Sequence, residues 1–371
     1  MRKWMIPAMA ALLLLTGCTG QGGDLTTAVT KPTEGENILL QWEQGELIDT
    51  GIYSGYPRLY TLHDGTLLLG YDGMFVSRST DDGLTWTPGV HASGDHPGTA
   101  NAAFFQTEDG TLYLGFRSTE HREDGSFYSS IQVSASTDGG LTWAHHSTVY
   151  ENVEPDGAFR GVWEPHFGMM NGYLTCFYAN DSTNVTSQQN IEYQQWDPET
   201  GVWTNRTVAS VGRLHGSRDG MPVWQQLSTG EYVCVMEAFN KSDDNRFCIQ
   251  LIWSEDGKNW SKPVTVMQAT KKSAACAAPY IVELPTGQIV ISCQTNELTG
   301  GEVYCPATVI SDGTSVRQLT QQNFSDHAYP IFDTTPAVGG LWNGMHLHGG
   351  YLFFCTGSAD RGIRLNRIPV Q

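Results

Sequence analysis

Asp64-Gly65-Thr66-Leu67-Leu68-Leu69 joins a turn dipeptide to a run of strand formers, and the phrase returns five times. The further copies are Asp109-Gly110-Thr111-Leu112-Tyr113-Leu114, Asn171-Gly172-Tyr173-Leu174, Thr229-Gly230-Glu231-Tyr232-Val233, Thr286-Gly287-Gln288-Ile289-Val290 and Gly349-Gly350-Tyr351-Leu352-Phe353. Asp-Gly and Asn-Gly before apolar runs are strong hairpin signals, because glycine accepts the positive φ the turn requires. The six glycines stand 45, 62, 58, 57 and 63 residues apart. That spacing gives each copy room for about four strands, the content of a propeller blade. No stretch sustains a helical period. The sequence therefore predicts an all-β, six-bladed β-propeller over residues 37–371. Residues 37–43 (NILLQWE) supply an extra strand that would pair into the last blade and close the ring, removing free sheet edges.

A second repeat lies downstream of several of these phrases. Ser79-Thr80-Asp81-Asp82-Gly83-Leu84-Thr85-Trp86 and Ser136-Thr137-Asp138-Gly139-Gly140-Leu141-Thr142-Trp143 share the form S-x-D-x-G-x-T-W, and Ser254-Glu255-Asp256-Gly257-Lys258-Asn259-Trp260 is one residue shorter. The pattern resembles the Asp-box of sialidase-like propellers. Its residues have a structural use: the Asp accepts turn N–H groups, the Gly takes the tight conformation and the Trp packs between sheets. Asp81, Asp138 and Asp256 are accordingly set aside as catalytic candidates. Asp197-Pro198-Glu199-Thr200-Gly201-Val202-Trp203 looks like a decayed copy.

Met1-Arg2-Lys3, an apolar run over 8–15 and Leu15-Thr16-Gly17-Cys18 have the form of a bacterial lipoprotein signal. The apolar run is too short to span a bilayer. Residues 1–17 are expected to be removed, Cys18 to be lipidated, and the Gly- and Thr-rich stretch 18–36 to act as a flexible tether. This places the chain in a bacterial cell envelope, extracytoplasmic, touching the membrane through its lipid alone.

The chain carries 39 Asp and Glu against 21 Lys and Arg. Such an acidic surface repels nucleic acid and suits a neutral partner such as a sugar polymer. Seven cysteines follow Cys18, irregularly spaced and without a CxxC pair, several of them in apolar runs. They read as mostly buried thiols, with disulfides open on an oxidising side of a membrane. The chain has no G-x-S-x-G, H-E-x-x-H or phosphate-loop motif. His346 and His348 lack a third clustered ligand, so no metal and no cofactor is expected. A monomer is expected.

Polar residues stranded in apolar strand contexts mark the candidate chemistry. Glu164 stands in Val162-Trp163-Glu164-Pro165-His166-Phe167, and Glu237 ends the run Tyr232-Val233-Cys234-Val235-Met236-Glu237 one blade later. Two carboxylates on neighbouring blades of one funnel suit glycoside hydrolysis. One protonates the leaving oxygen, while the other attacks the anomeric carbon or activates water, according to their separation. Arg58, Arg117 and Arg218 stand where they would hold one carboxylate ionised, bind substrate, or pair between blades. Tyr329 is a phenol near the last blade that belongs either to the site or to the core.

Taken together, YPRL with DGTLLLGYDG, NAAFF with GTLYLGFRSTEH, VWEPHF, SRDGMPVW with STGEYVCVMEAF, AAPYIVELPTGQIVISCQTNE and AYPIF resemble glycoside hydrolase family 93 across most of the chain beyond residue 36. These are exo-α-1,5-L-arabinanases that release arabinobiose. The resemblance implies Glu164 as acid/base, Glu237 as nucleophile of a retaining enzyme, and Tyr329 as a residue that orients the nucleophile. It also implies substrate contacts from Arg58, Arg117, His121, Trp163, His166, Arg218, Asp219, Trp224 and Trp342. The segment Tyr178-Ala179-Asn180-Asp181 departs from the family pattern.

Two other readings use the same residues. An exo-sialidase would clamp a substrate carboxylate with three arginines, for which Arg58 and Arg218 would serve, but YPRL stands where F-R-I-P is usual. A surface propeller that only binds glycan or protein would have no need of two isolated glutamates at its axis.

Overall fold

The computed structural model describes Leu40 and residues 44–182, 188–204, 206–215, 217–240, 246–298, 304–329, 340–358 and 362–370. Cys18, the signal segment and the tether lie outside these residues. Six antiparallel sheets follow one another along the chain, each begun by its innermost strand: Arg58–Thr61, Ala100–Gln106, Val162–Met170, Asp219–Gln226, Cys276–Glu283 and Leu341–His348. These are the six blades, and each repeated glycine turn joins an innermost strand to the second strand of its own blade. The single α-helical segment among the described residues is one turn, Gly212–His215.

The alternation of side chains along a strand explains the inter-blade core. Leu67 and Leu69 pack with Phe353 and Leu365 of the sixth blade, whereas Leu68 between them packs with Phe104 and Leu114 of the second. All three leucines are fully buried. Of the expected closing strand, 37–43, only Leu40 lies among the described residues, and the ring is closed by a later strand. Glu46–Asp49 pairs with Gly362–Pro369 in register Glu46 to Arg367, and Leu40 makes an isolated bridge to Val370.

The Asp-boxes are surface turns. The two oxygens of Asp138 accept bonds from Ser136 Oγ, Leu141 N, Thr142 N and Thr142 Oγ1, at 2.6 to 3.0 Å. These bonds hold its carboxyl down at about 2. Trp143 returns its indole N–H to the Gly140 carbonyl at 3.2 Å. Asp197 anchors Glu199 N and Thr200 Oγ1 in the same manner, as the decayed copy predicts. The seven cysteines from Cys176 to Cys355 are all free thiols, six buried and Cys305 half-buried.

One backbone device recurs in every blade and sets the site. Tyr56, Asn101, Glu164, Met221, Ala278 and Trp342 have φ between 49° and 66°, the left-handed region that non-glycine residues seldom occupy. Five of them sit in a break of the inner-strand register, as between Trp163 and His166 or between Gly220 and Val223. Tyr56 stands two residues ahead of its strand. Proline follows four of the six, in Tyr56-Pro57, Glu164-Pro165, Met221-Pro222 and Ala278-Pro279. A bulge leaves those residues out of the ladder, so the missing proline N–H forfeits no strand bond.

Candidate active site

Five of the six left-handed residues gather at the axis. Tyr56 of the first blade packs in one buried cluster with Met221 and Ala278 of the fourth and fifth, which are not its neighbours in the ring. Trp342 of the sixth blade lies against this cluster, its ring 6.4 Å from that of Tyr56. Glu164 completes the circle from the third blade.

Glu164 is half-buried as a residue, but its Oε2 is wholly hidden and has no hydrogen-bond partner among the described residues. Its carboxyl is pushed up to about 7. Loss of solvent is the main cause, and the nearby charge of Glu237 adds to it. Arg218, Arg117 and the Met221 backbone pull the other way without offsetting it. An acid so placed keeps its proton near neutrality.

Glu237 is held differently. It is 6 % exposed, and both oxygens are occupied: Arg218 Nη1 donates to Oε1 at 2.7 Å, and the Ala278 N–H to Oε2 at 3.0 Å. Two donors on two oxygens is the pattern that suits a carboxylate. The Ala278 N–H is available because its bulge takes it out of the ladder. Two further blades repeat this contact. Asn101 N donates to Asp72 Oδ1 at 3.2 Å, and Trp342 N donates to Gln294 Oε1 at 2.8 Å. Glu237 thus occupies a repeated clamp position, and its pairing with Arg218 and closeness to Glu164 set it apart from the other two.

Arg117 lies between the pair and the aromatic wall. Its guanidinium is 5.3 Å from the Trp163 ring, its charge acts on Glu164 and on Asp72, and its Nε has no hydrogen-bond partner among the described residues. Asp181 accepts the Trp163 indole N–H at 3.0 Å and the Gly161 N–H at 2.6 Å, which fixes the strand just ahead of Glu164. His121 stacks near the same wall, 4.9 Å from Phe127 and 6.3 Å from Phe159. The structure therefore gathers Glu164, Glu237, Arg117, Arg218, Trp163 and Trp342, with His121 at the rim.

Five of the residues singled out from sequence lie elsewhere. Arg58 is buried, and its Nη1 donates to the carbonyls of Pro57, Trp342 and Asn343 at 2.7, 2.8 and 3.4 Å. Its carbon Cζ is 3.9 Å from the Tyr56 ring and 5.3 Å from that of Tyr280. It is a bolt across the axis, its charge spent on backbone carbonyls. His166 is half-buried beside Tyr280, 5.9 Å ring to ring, and is pushed down to about 3 by loss of solvent and by Arg58, so it is a neutral imidazole. Trp224 is 1 % exposed and ties the fourth blade to the third through its indole N–H on the His166 carbonyl at 3.0 Å. Asp219 is fully buried and accepts from Ser210 Oγ. Tyr329 packs against the core shared by the fourth and fifth blades, its hydroxyl 3.4 Å from Glu297 Oε2. Burial and the Glu297 charge push that phenol up. In this structure all five side chains make their contacts within the fold.

The residues missed from sequence are Tyr56, Asp72, Asn101, Met221 and Ala278. A signal for them existed. Each left-handed residue stands eight or nine positions before its hairpin glycine, and seven positions after each glycine come Asp72, Arg117, Ala179, Glu237, Gln294 and Gly357. Both offsets are fixed by strand length. Among the described residues no cluster of three or more His, Cys, Asp or Glu side chains suits a metal ion.

A cavity of about 520 Å³ runs along the axis on the other side of Arg58. It is lined by later positions of all six inner strands, including Phe104, Trp224, Tyr280 and His346. Glu164 and Glu237 do not line it.

No family model and no curated protein matches the chain. Solved structures do. The α-L-arabinanase of Penicillium chrysogenum, complexed with arabinobiose, superposes with a TM-score of 0.65 over 85% of this chain and 93% of its own, at 20% identity. The GH93 α-L-arabinofuranosidase of Fusarium graminearum with arabinobiose gives 0.60 over 88% and 96%, also at 20% identity. NanB sialidase of Streptococcus pneumoniae gives 0.56 over 85% and 68%, at 11% identity. The likeness is one of fold: the chain is a six-bladed β-propeller.

Proposed function

We propose that the chain is a retaining, exo-acting glycoside hydrolase of the family 93 type, releasing arabinobiose from the end of α-1,5-arabinan. The observation that carries this reading is the unequal treatment of two neighbouring carboxyls at the axis. Glu164 is hidden and raised to about 7, while Glu237 is held by Arg218 and the Ala278 N–H. Pushing apart the environments of two acids assigns their roles. Glu164 donates its proton to the departing glycosidic oxygen as that bond breaks, and Glu237 forms a bond to the anomeric carbon. Water then attacks the same carbon, Glu164 takes its proton, and the bond to Glu237 breaks.

The sugar class is supported by the arabinobiose bound in two similar structures and by the sequence resemblance. Met221, Ala278, Tyr56 and Trp342 give the site an apolar side suited to an uncharged ring. A sialidase reading loses support from Arg58, which is engaged by three carbonyls. A lipid on Cys18 would hold the enzyme on the outer face of a cell envelope, and Cys18→Ala should release it from the membrane fraction.

Incubation with linear α-1,5-arabinan and with a panel of sialosides, followed by product sizing and proton NMR of the first-formed anomer, tests the assignment. Arabinobiose alone with retained configuration is the expected result. Sialoside cleavage, or arabinan hydrolysis that persists in Glu164→Gln and Glu237→Gln, overturns it.

A further inference from the structure

Phe159 is a large apolar side chain left 56% exposed five residues ahead of Glu164. It is not a loosely placed surface residue. Its ring centre lies 4.9 Å from that of Trp163 and 4.8 Å from that of Phe127, and it stacks on His121 at 6.3 Å with an interplanar angle of 21°. Trp163 and Phe127 are buried, whereas His121 and Phe159 face solvent. The stack is thus rooted in the core and ends in water.

The segment that carries Phe159 is pinned on both sides. Gly157 N donates to the Glu154 carbonyl at 3.1 Å and Arg160 N to the Ala158 carbonyl at 2.8 Å. The Arg160 guanidinium meets the buried Glu154 carboxylate at 2.6 Å, Asn152 holds the other Glu154 oxygen at 2.9 Å, and Gly161 N is fixed on Asp181. A ring held this firmly in water gains nothing for the fold from its outer face, and a rigid exposed aromatic is a surface that loses little entropy when a ligand covers it.

We propose that Phe159, backed by His121 and Trp163, is a stacking platform for a second glycosyl unit of the oligosaccharide whose scissile bond lies between Glu164 and Glu237. This rests on the hydrolase reading above and extends it to a second subsite. The occupant is a sugar because the surface is continuous with the carboxylates: Phe159 touches Trp163, Arg117 lies over Trp163, and the Arg117 charge reaches Glu164. An uncharged occupant fits the surroundings, since no cation is left over among the described residues to bind an anion: Arg122 meets Glu120 at 3.5 Å, and Arg160 is shared by Glu154 at 2.6 Å and Asp156 at 3.3 Å. The C–H face of a furanose or pyranose lying on the ring buries apolar surface on both partners.

The test compares wild type, Phe159→Ala and Phe159→Trp on α-1,5-arabino-oligosaccharides of increasing length. It also measures binding of the slow variant Glu164→Gln, with and without Phe159→Ala, to an array of neutral and charged oligosaccharides. Phe159→Ala is expected to lower kcat/KM roughly tenfold on substrates long enough to reach the ring, and by a smaller factor on the shortest. Phe159→Trp should restore the loss. On the array, Phe159→Ala should weaken whatever glycan Glu164→Gln retains. An equal factor at every length, or array binding indifferent to Phe159, overturns the platform while leaving the hydrolase in place. Array binding to another neutral glycan that depends on Phe159, with arabino-oligosaccharides untouched by wild type, overturns the arabinan assignment and upholds the platform. Failure to retain any glycan overturns both.

Discussion

Gly220 stands directly opposite Glu237 in the fourth blade, and a Cβ placed on it would lie 3.2 Å from Glu237 Oε1 and 3.2 Å from Arg218 Nη1. The same carbon would come within 2.8 Å of Gln189 Oε1. The ion pair thus occupies space that only glycine leaves open. Gly220→Ala is expected to displace the pair by a few tenths of an ångström and to lower kcat on the order of tenfold, since small misplacements are amplified in reactivity. Thermal melting and kcat measured together check this. A large fall in melting temperature with unchanged kcat contradicts it.

Glu164 links activity and stability to pH. The free acid near 7 predicts a kcat/KM that falls with rising pH above about 7. Stability follows the same group. The folded protein holds this proton more tightly than the unfolded chain, so stability is undiminished below about pH 4.5. It is lost progressively as pH rises through about 7. Glu164→Gln should remove that penalty and be more stable than wild type at pH 8 by about 1–3 kcal/mol, with little difference at pH 4. Denaturant titrations at the two pH values read the effect.

Arg218→Met should leave Glu237 with the Ala278 N–H as its remaining donor among the described residues. Without the cation Glu237 Oε1 loses its donor, so kcat should fall on the order of tenfold or more. Stability should fall by about 3 kcal/mol, because a charge loses its partner in a poorly solvated place. Arg218→Lys should recover part of the stability and less of the rate, since an ammonium lacks the planar fork. Turnover rates and melting curves of the two variants separate these effects.

Tyr56, to which the resemblance gives no role, should matter more to turnover than Tyr329. Tyr56 is buried at the axis, where burial raises its phenol and Arg58, Glu164 and Asp72 all act on it. Tyr329 bonds Glu297 instead. Tyr56→Phe is expected to lower kcat several-fold, roughly 1 kcal/mol of transition-state stabilisation, and Tyr329→Phe to leave kcat within about twofold. Steady-state kinetics on both variants decide between the two placements.

Asp138→Ala should reduce stability and spare kcat. The Asp138 carboxyl is depressed to about 2 by its turn bonds, so its contribution is present above the ordinary carboxylate pKa and fades as pH falls toward 2. A lower melting temperature at pH 7 with unaltered turnover is the expected pair of readings.

The architecture was legible because its signals are local and repeated. Gly65 and Gly110 declare hairpins by their own φ, and Asp81 and Asp138 bond within four residues of themselves. Glu164 and Glu237 were legible because an acid in an apolar strand needs a partner. The neighbours were harder. Arg218 and Asp219 are adjacent charges, but side chains alternate along a strand, so one reached Glu237 and the other turned to Ser210. Nothing in Tyr56-Pro57-Arg58-Leu59 says that the guanidinium will find carbonyls from the last blade, because those partners lie 284 and 285 residues away. Tyr56, Met221 and Ala278 carry no chemical label. Their recurrence ahead of proline becomes informative once the left-handed backbone is seen.

Tyr56, Met221 and Ala278 form a buried cluster at the axis, with the Arg58 guanidinium against Tyr56, and neither Glu164 nor Glu237 lines the axial cavity. On the hydrolase reading, a polymer end that reached Glu164 would meet that cluster rather than pass into the cavity. A fragment cut there would leave the way it came before the next end is admitted, so a hydrolase built this way would not slide along its substrate. Turnover on long chains should then be distributive, shortening the whole population by small steps rather than consuming single molecules to completion.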